Sequence, residues 1–567
     1  MNGDILVHNP MIMLKLSALA STALLASAGS AQFNNPLAIP PALDLDTFDL
    51  VVDEHVHQFY PGVNTNTYGA SAEYLGPTLI MHAGDTTRIR VRNELAQITT
   101  MHWHGLRVPG EFDGGPQRVI DPGETWDVKY QVKNPAGTYW YHPHPHMLTA
   151  FQASMGIAGL IIVQDDEEAA LDLPRTYGID DLPVVVQDRK FDANGNFVMG
   201  PFGDSVLVNG TAHPYLECPA QVVRLRLLNG SNSRVYPLGF ENDQPFSVIA
   251  SDGGLLSAPV TMDRIPLSNG ERAEILLDLT GMEGDSLLLM SYGSELPATV
   301  PGSSYILWES SLLSGIDFPV LRIRITAPTT DPVTTIPMTL GTAQPYEEVL
   351  ATGDRTKTLT GNGLVGMGMF MINGAMYDMD VINDTIQLGT MEVWNFQNNS
   401  NMAHPMHIHG GSFFVLDRDG IAPPAWEGGA KDVVLVDVGE AVRVIMRFDD
   451  ATSAEWPYMY HCHNLMHEDN MMMAQYIVVD QNVEVSTVNE RYALHAFPSP
   501  TSGSVTWQAP FMTHELQLMD ALGRVVLQQR GLATNRGTIE MAAFPMGSYV
   551  LVLRNGEQRS HCVVVRQ

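Results

Sequence analysis

Short runs in which apolar and polar residues alternate recur along this chain. TTRIRVRNEL (86–95) and ETWDVKYQV (124–132) place every second residue on one face, the pattern of a half-buried strand. IAGLIIV (157–163), QVVRLRLLN (221–229), RAEILLDL (272–279), MEVWNFQN (391–398), AVRVIMRF (441–448) and AQYIVVD (474–480) are strand-like by alternation or by β-branched content. Clusters of Gly, Pro, Asn and Asp separate these runs, as in β-sandwiches and barrels. Long helical periodicity is scarce, so the pattern predicts an all-β protein.

Two kinds of segment interrupt the rhythm. MIMLKLSALASTALLASAGSAQF (11–33) has one lysine, an apolar run from Leu16 to about Ala28, and then small residues. This is the pattern of a secretory signal, with cleavage expected after Ala31, and its apolar run is too short to span a membrane. The other interruptions are an acidic break at QDDEEAALDLP (164–174), a Pro/Thr stretch at TAPTTDPVTTIP (326–337) and a polar lead-in over 480–503. They divide the chain into a signal at 1–31, β domains at 45–168, 172–328 and 335–482, and a small β-sandwich at 492–567. The first and third domains share an early HxH pair and a histidine-rich strand near the end, which hints at duplication of one β unit.

Composition adds two constraints. The 567 residues carry 63 acidic against 31 basic side chains, a formal net charge of −32, which disfavours nucleic acid and anionic membrane as partners. There are three cysteines, Cys218, Cys462 and Cys562, far apart and odd in number, so no disulfide framework is expected despite export.

The histidines carry the chemistry. Six HxH pairs occur: 55/57, 102/104, 142/144, 144/146, 407/409 and 461/463. On a strand, residues i and i+2 face the same way, so each pair presents two imidazoles side by side, and several such strands can surround metal. His55 and His57 read as surface residues. The other pairs sit in MHWHG, YWYHPHPH, HPMHIHG and YHCHNLMH.

Cys462 lies inside one of these pairs and heads the spacing C-x4-H-x4-M, with His467 and Met472. A thiolate, an imidazole and a distant thioether are three of the four ligands of a blue-copper site, and His404 is the natural fourth. Zinc also accepts Cys and His, but it neither uses the thioether nor carries electrons. With Cys462 on one strand face, His461 and His463 point to the other. Eight histidines then remain for a second cluster: His102, His104, His142, His144, His407, His409, His461 and His463. That number suits three coppers.

These four motifs, in this order, resemble those of the multicopper oxidases, the nearest likeness being to bacterial three-domain copper-efflux (cuprous) oxidases, laccase-like enzymes and bilirubin oxidases. HWHGLRVPGEFDGGPQ, MGIAGLIIV, LRLLNG, VIASDGGLL and HCHNLMHEDNMMM carry the likeness over about residues 45 to 480. The resemblance implies three cupredoxin-like, Greek-key β domains and four copper ions: one type 1, one type 2 and two type 3. It implies that His404, Cys462, His467 and Met472 hold the type 1 copper and that His102 and His407 hold type 2. His104, His142, His144, His409, His461 and His463 would hold the type 3 pair. Asp113 and Glu468 match the family's proton-supplying positions, and His146 falls outside the ligand set. The implied function is oxidation of a phenolic or aromatic reductant, one electron at a time, coupled to four-electron reduction of O2. Cuprous ion is the alternative reductant, and a non-enzymatic copper-binding protein is a further alternative. Copper nitrite reductases lack the paired HxH set.

Thirty methionines bear on the reductant. Met402, Met367 and Met369 are candidate ligands for a substrate Cu(I), since thioethers select that ion. The chain departs from the cuprous oxidases in two ways: Ser400 stands where they carry an aspartate, and the long methionine-rich insertion is short here. An axial methionine should also give a lower potential than a non-coordinating residue, favouring easily oxidised donors.

The last segment, HAFPSPTSGSVTW to HCVVVRQ, resembles the sorting domain that directs cargo to the type IX secretion machinery of Bacteroidetes. A monomer, exported through the periplasm to the cell surface or medium, is the expectation.

Overall fold

The computed structural model describes residues 33–304, 311–342, 344–363, 369–453, 455–480, 494–520, 524–555 and 558–567. The expected signal at 1–31 and Met367 lie outside the described residues. Residues up to Asp480 form one compact unit and those from Gln481 a second.

The first unit is built from pairs of sheets packed face to face. The strands Thr86–Asn93 and Thr125–Gln131 bury alternate residues, as their patterns predict. They belong to a four-stranded sheet that stacks on a five-stranded one, enclosing Phe48, Trp103, Trp126, Tyr141 and Ile161. The middle domain pairs a six-stranded with a seven-stranded sheet, and the third domain pairs two five-stranded sheets around Trp394, Phe396 and Tyr476. Helices are short. Two matter here, Thr149–Met155 from the first domain and Leu465–Asp469 from the third.

A short strand precedes the first domain's long strand Thr47–Tyr60. Ala42–Asp44 pairs parallel to Thr78–Ile80 and extends the domain's sheet. Before it, Asn35–Pro36 pairs with Pro214–Tyr215 of the middle domain.

One strand departs from its alternating pattern. Val222–Asn229 is buried on both faces, arginines included. Arg224 donates to Glu168 at 2.7 Å and to Glu274 at 2.8 Å. Arg226 donates to Asp181 at 2.6 Å and to Glu274 at 2.8 Å. The first domain joins this network through the Thr138 hydroxyl, 2.7 Å from Glu274. A buried carboxylate must be paired to stay charged. Burial alone would raise the pKa of Glu274, but Arg224 and Arg226 outweigh it and pull it down to about 2.

The second unit is one sheet in which Ser504–Asp520 pairs with His495–Phe497, Val525–Glu540 and Gly547–Asn555, and the last of these pairs with Gln558–Arg566. Trp507, Leu516, Leu518, Leu551 and Val564 form its core. All three cysteines are free thiols.

Glu274 yields a test. Its folded pKa lies below the ordinary 4.5, so its contribution is complete above about pH 4.5 and lost as the pH falls toward 2. The contribution is about 3 kcal/mol by linkage. Glu274→Gln should destabilise the first unit at neutral pH and flatten the pH dependence of unfolding between pH 4.5 and 2, measured by denaturant titration.

Candidate metal centre

Strand register brings the histidines together. His102–His104 pairs antiparallel with Gly137–His142, setting His102 opposite His142. In the third domain His404–Ile408 pairs with Tyr458–Cys462, setting His407 opposite His461 and Met406 opposite Cys462. The period of two then separates neighbours. Cys462 enters the apolar core of the third domain with Met406, Trp394 and Met472. His461 and His463 turn to the histidines of the first domain, where His461 Nε2 lies 3.2 Å from His144 Nε2 and the ring of His463 lies 4.8 Å from that of His104.

Two ring stacks join the first and third domains, His102 on His409 and His104 on His407, each with centroids 3.8 Å apart. Each stack is held by one aspartate that uses both its carbonyl and its carboxylate. Asp113 accepts from His102 Nδ1 through its carbonyl at 2.8 Å and from His409 Nδ1 through Oδ2 at 2.7 Å. Asp432 accepts from His407 Nδ1 through its carbonyl at 2.7 Å and from His104 Nε2 through Oδ1 at 3.0 Å. Carbonyl and carboxylate oxygens only accept, so these contacts set the tautomers. They leave the opposite nitrogen of each ring aimed inward, which for His104 is Nδ1.

The two aspartates share a geometry and differ in charge environment. Arg272 of the middle domain donates to both carboxylate oxygens of Asp432 at 2.6 Å. Lys431 beside it is held by Asp252 at 3.0 Å and Glu271 at 2.9 Å. Burial raises the pKa of Asp432, and Arg272 limits the rise to about 6. Asp113 is buried, its Oδ1 makes no hydrogen bond, and burial pushes it well above the usual carboxylate range. Glu468 is also buried and lies 3.4 Å from His144 Nδ1 and 3.3 Å from His461 Nδ1. Burial, and then the neighbouring Asp469, push it well up.

A separate trio lies across the Cys462 strand. Cys462 Sγ is 3.4 Å from His404 Nδ1 and 3.4 Å from His467 Nδ1. The Ser400 hydroxyl gives its proton to Asn398 at 2.7 Å and accepts from His404 Nε2 at 2.8 Å, leaving Nδ1 toward the sulfur. Phe370 packs against both imidazoles, with ring centroids at 4.9 and 4.5 Å. Met472 is fully buried in the same core. Asp469 anchors the short helix that carries His467 and Glu468: its two oxygens accept from Thr149 N and Ala150 N, each at 2.9 Å.

This donor set fits metal ions. His144 Nε2 and His409 Nε2 lie 3.2 and 3.1 Å from His461 Nε2, and His104 Nδ1 lies 3.4 Å from His142 Nε2. Buried His102 Nε2, His407 Nε2 and both nitrogens of His463 make no hydrogen bond. Burial lowers all these imidazoles, His142 to about 4 and His144 to about 3, so they are neutral at pH 7. Neutral rings with lone pairs facing one another at hydrogen-bond distance, inside a dry core, call for cations between them. The groups His144–His409–His461 and His404–Cys462–His467 each bring one donor per residue within 4.8 Å of one another.

The other candidates lie as follows. Met402 is buried, 1% exposed, while Met369 is 67% exposed. His55 pairs with Asp53 and His57 with Glu73 at the surface. His146 packs against Met471 at the edge of the cluster. Asp432, Arg272 and Phe370 are site residues that the motifs alone did not single out. Asp432 had no signal in the spacing; its likeness to Asp113 appears only in the hydrogen bonds the two make.

Fold and site together define a copper-dependent oxidoreductase assembled from cupredoxin-like β domains. The chain belongs to the multicopper oxidase family. Multicopper oxidase family models match residues 52–168, 181–302 and 343–482, and a secretion system C-terminal sorting domain matches 495–566. Multicopper oxidase mco of Staphylococcus epidermidis is 35% identical over 76% of this chain and 87% of its own length. Cell division protein FtsP of Escherichia coli is 32% identical over 81% of this chain and 96% of its own. A laccase-like multicopper oxidase from an Ochrobactrum species, described as active towards lignin model compounds and lignosulfonate, has a solved structure that superposes with a TM-score of 0.70. It is 34% identical over 78% of this chain and 100% of its own.

The Asp432–Arg272 pair can be tested through metal retention. Asp432→Asn keeps the size but weakens the grip on His104. Copper affinity should fall about 10–100-fold, measured as copper content after dialysis against graded chelator.

Proposed function

We propose that His404, Cys462, His467 and Met472 hold one copper ion and that eight histidines hold three more. His102 and His407 bind one of the three. His104, His142, His144, His409, His461 and His463 bind the other two. The carrying observation is the HCH sequence of residues 461–463, with its sulfur in one donor group and its flanking imidazoles in the other. Bound copper would supply one-electron oxidation at the cysteine group and four-electron reduction of O2 to water at the three-metal group.

The chain's own residues do the rest. The backbone of Cys462 joins the two donor groups covalently through its neighbours. Burial keeps water from the histidines, and Phe370 covers the rings of His404 and His467. Asp113 and Glu468, both raised by burial, hold protons beside the histidines and deliver them to reducing oxygen. Asp432, paired with Arg272, orients the rings of His104 and His407.

The reductant is a phenol or similar aromatic donor. Ser400 is committed to His404 and Asn398, and Met402 is buried, so neither is free to receive a cation. The activity described for the Ochrobactrum relative supports the same class. Cuprous ion is the second reading, favoured by the thioether of Met471 set against His146. The likeness to a cell division protein raises a non-enzymatic role, against which stands the complete donor set. The sorting domain supports delivery by the type IX machinery to the cell surface or medium.

Cys462→Ser should bind three coppers in place of four, lose its blue colour and lose O2 uptake with every reductant; retained uptake would overturn the mechanism. In Asp113→Asn and Glu468→Gln the colour should persist and bleach normally on adding reductant. Steady-state O2 uptake should fall about 10²–10⁴-fold.

A further inference from the structure

His146 and Met471 stand outside the twelve donors assigned above, yet they come together as a donor pair. His146 belongs to the turn that leads into the helix Thr149–Met155, and Met471 to the turn that leaves Leu465–Asp469. The ring nitrogen His146 Nε2 lies 3.2 Å from Met471 Sδ. A thioether accepts only a weak hydrogen bond, so little is lost when a cation takes the place of the proton between the two. The separation is close to the 3.4 Å between Cys462 Sγ and His404 Nδ1 in this same chain.

The backbone supports the pairing. Met471 has φ 74° and Met147, next to His146, has φ 62°. Both values lie in the left-handed region, which long side chains rarely occupy, and strain of this kind points to function when it gathers at one place. Met147 is 58% exposed, and His146 and Met471 are half-buried, so the pair is open to solvent. On the inner side the ring of Tyr377 meets His146 edge-on at 5.7 Å, and the Tyr377 amide donates to the Met471 carbonyl at 3.0 Å.

We propose that His146 and Met471 form a surface site for a soft monovalent cation, cuprous ion, distinct from Met402 and Met369. Imidazole with thioether is a donor set that prefers Cu(I) to Cu(II). The site is placed for use. Met471 is one peptide bond from Met472, and His146 is two residues from His144. Cu(I) held there would give up one electron to the Cu(II) that the cysteine donor group holds in the reading above and would leave as Cu(II), for which the thioether has little affinity. Four such losses, with four protons, reduce one O2 to two waters. The electron transfer rests on the second, cuprous reading above; the cation binding does not.

The test uses the copper-loaded full chain and Ag(I), a redox-inert stand-in for Cu(I), by calorimetry. Met471→Gly removes the thioether at a backbone conformation glycine accepts freely, and His146→Phe keeps a ring against Tyr377. Each should weaken one Ag(I) site at least tenfold and raise the KM for Cu(I) in O2 uptake. Unchanged Ag(I) affinity in both, or a loss seen only in Met402→Leu, overturns the proposal. Absence of O2 uptake by wild type with any reductant would instead count against the oxidase reading, and the Ag(I) result would still decide the site.

Discussion

Neutral imidazoles aimed at one another in a dry core are the constraint on which this molecule is organised. The chain divides the load between its first and third domains, and the stacks His102–His409 and His104–His407 are where they meet. Every ring nitrogen turned outward needs an acceptor, and Asp113 and Asp432 each satisfy two rings from different domains. The middle domain supplies no histidine but contributes Arg272, the counter-ion that lets Asp432 stay in place. The metal site and the domain interfaces are therefore one structure.

That arrangement divides two similar residues by environment. Asp113 and Asp432 make matching hydrogen bonds, yet only one has an arginine. A buried carboxyl without a counter-ion favours its protonated form, and one with a guanidinium favours its charge. Two carboxylates with matching hydrogen bonds are thus made unequal by the middle domain, which places Arg272 against only one of them.

Much of this was legible in the chain. The period of two, read together with HxH spacing, places Cys462 and its neighbours on opposite faces, and alternation in Thr86–Asn93 and Thr125–Gln131 matches their burial. Two things were hidden. Arg224, Arg226 and Arg272 look like solvent positions, because alternation cannot tell water from a neighbouring domain that supplies acids. Asp432 and Ser400 act through hydrogen bonds to rings distant in sequence or outside any spacing rule, and such contacts exist only once the sheets have closed.

The strand Asn35–Pro36 carries a different consequence. It completes an edge of the middle domain's sheet, pairing with Pro214–Tyr215 across some 180 intervening positions, and the Phe33 carbonyl accepts from Arg324 at 3.0 Å. The first residues past the expected cleavage site thus have no strand partner until the chain has been made as far as Tyr215. Without the beginning of the chain, that side of the Pro214–Pro219 strand would be an open sheet edge, a template for pairing with another chain, so these first residues also guard the sheet against association.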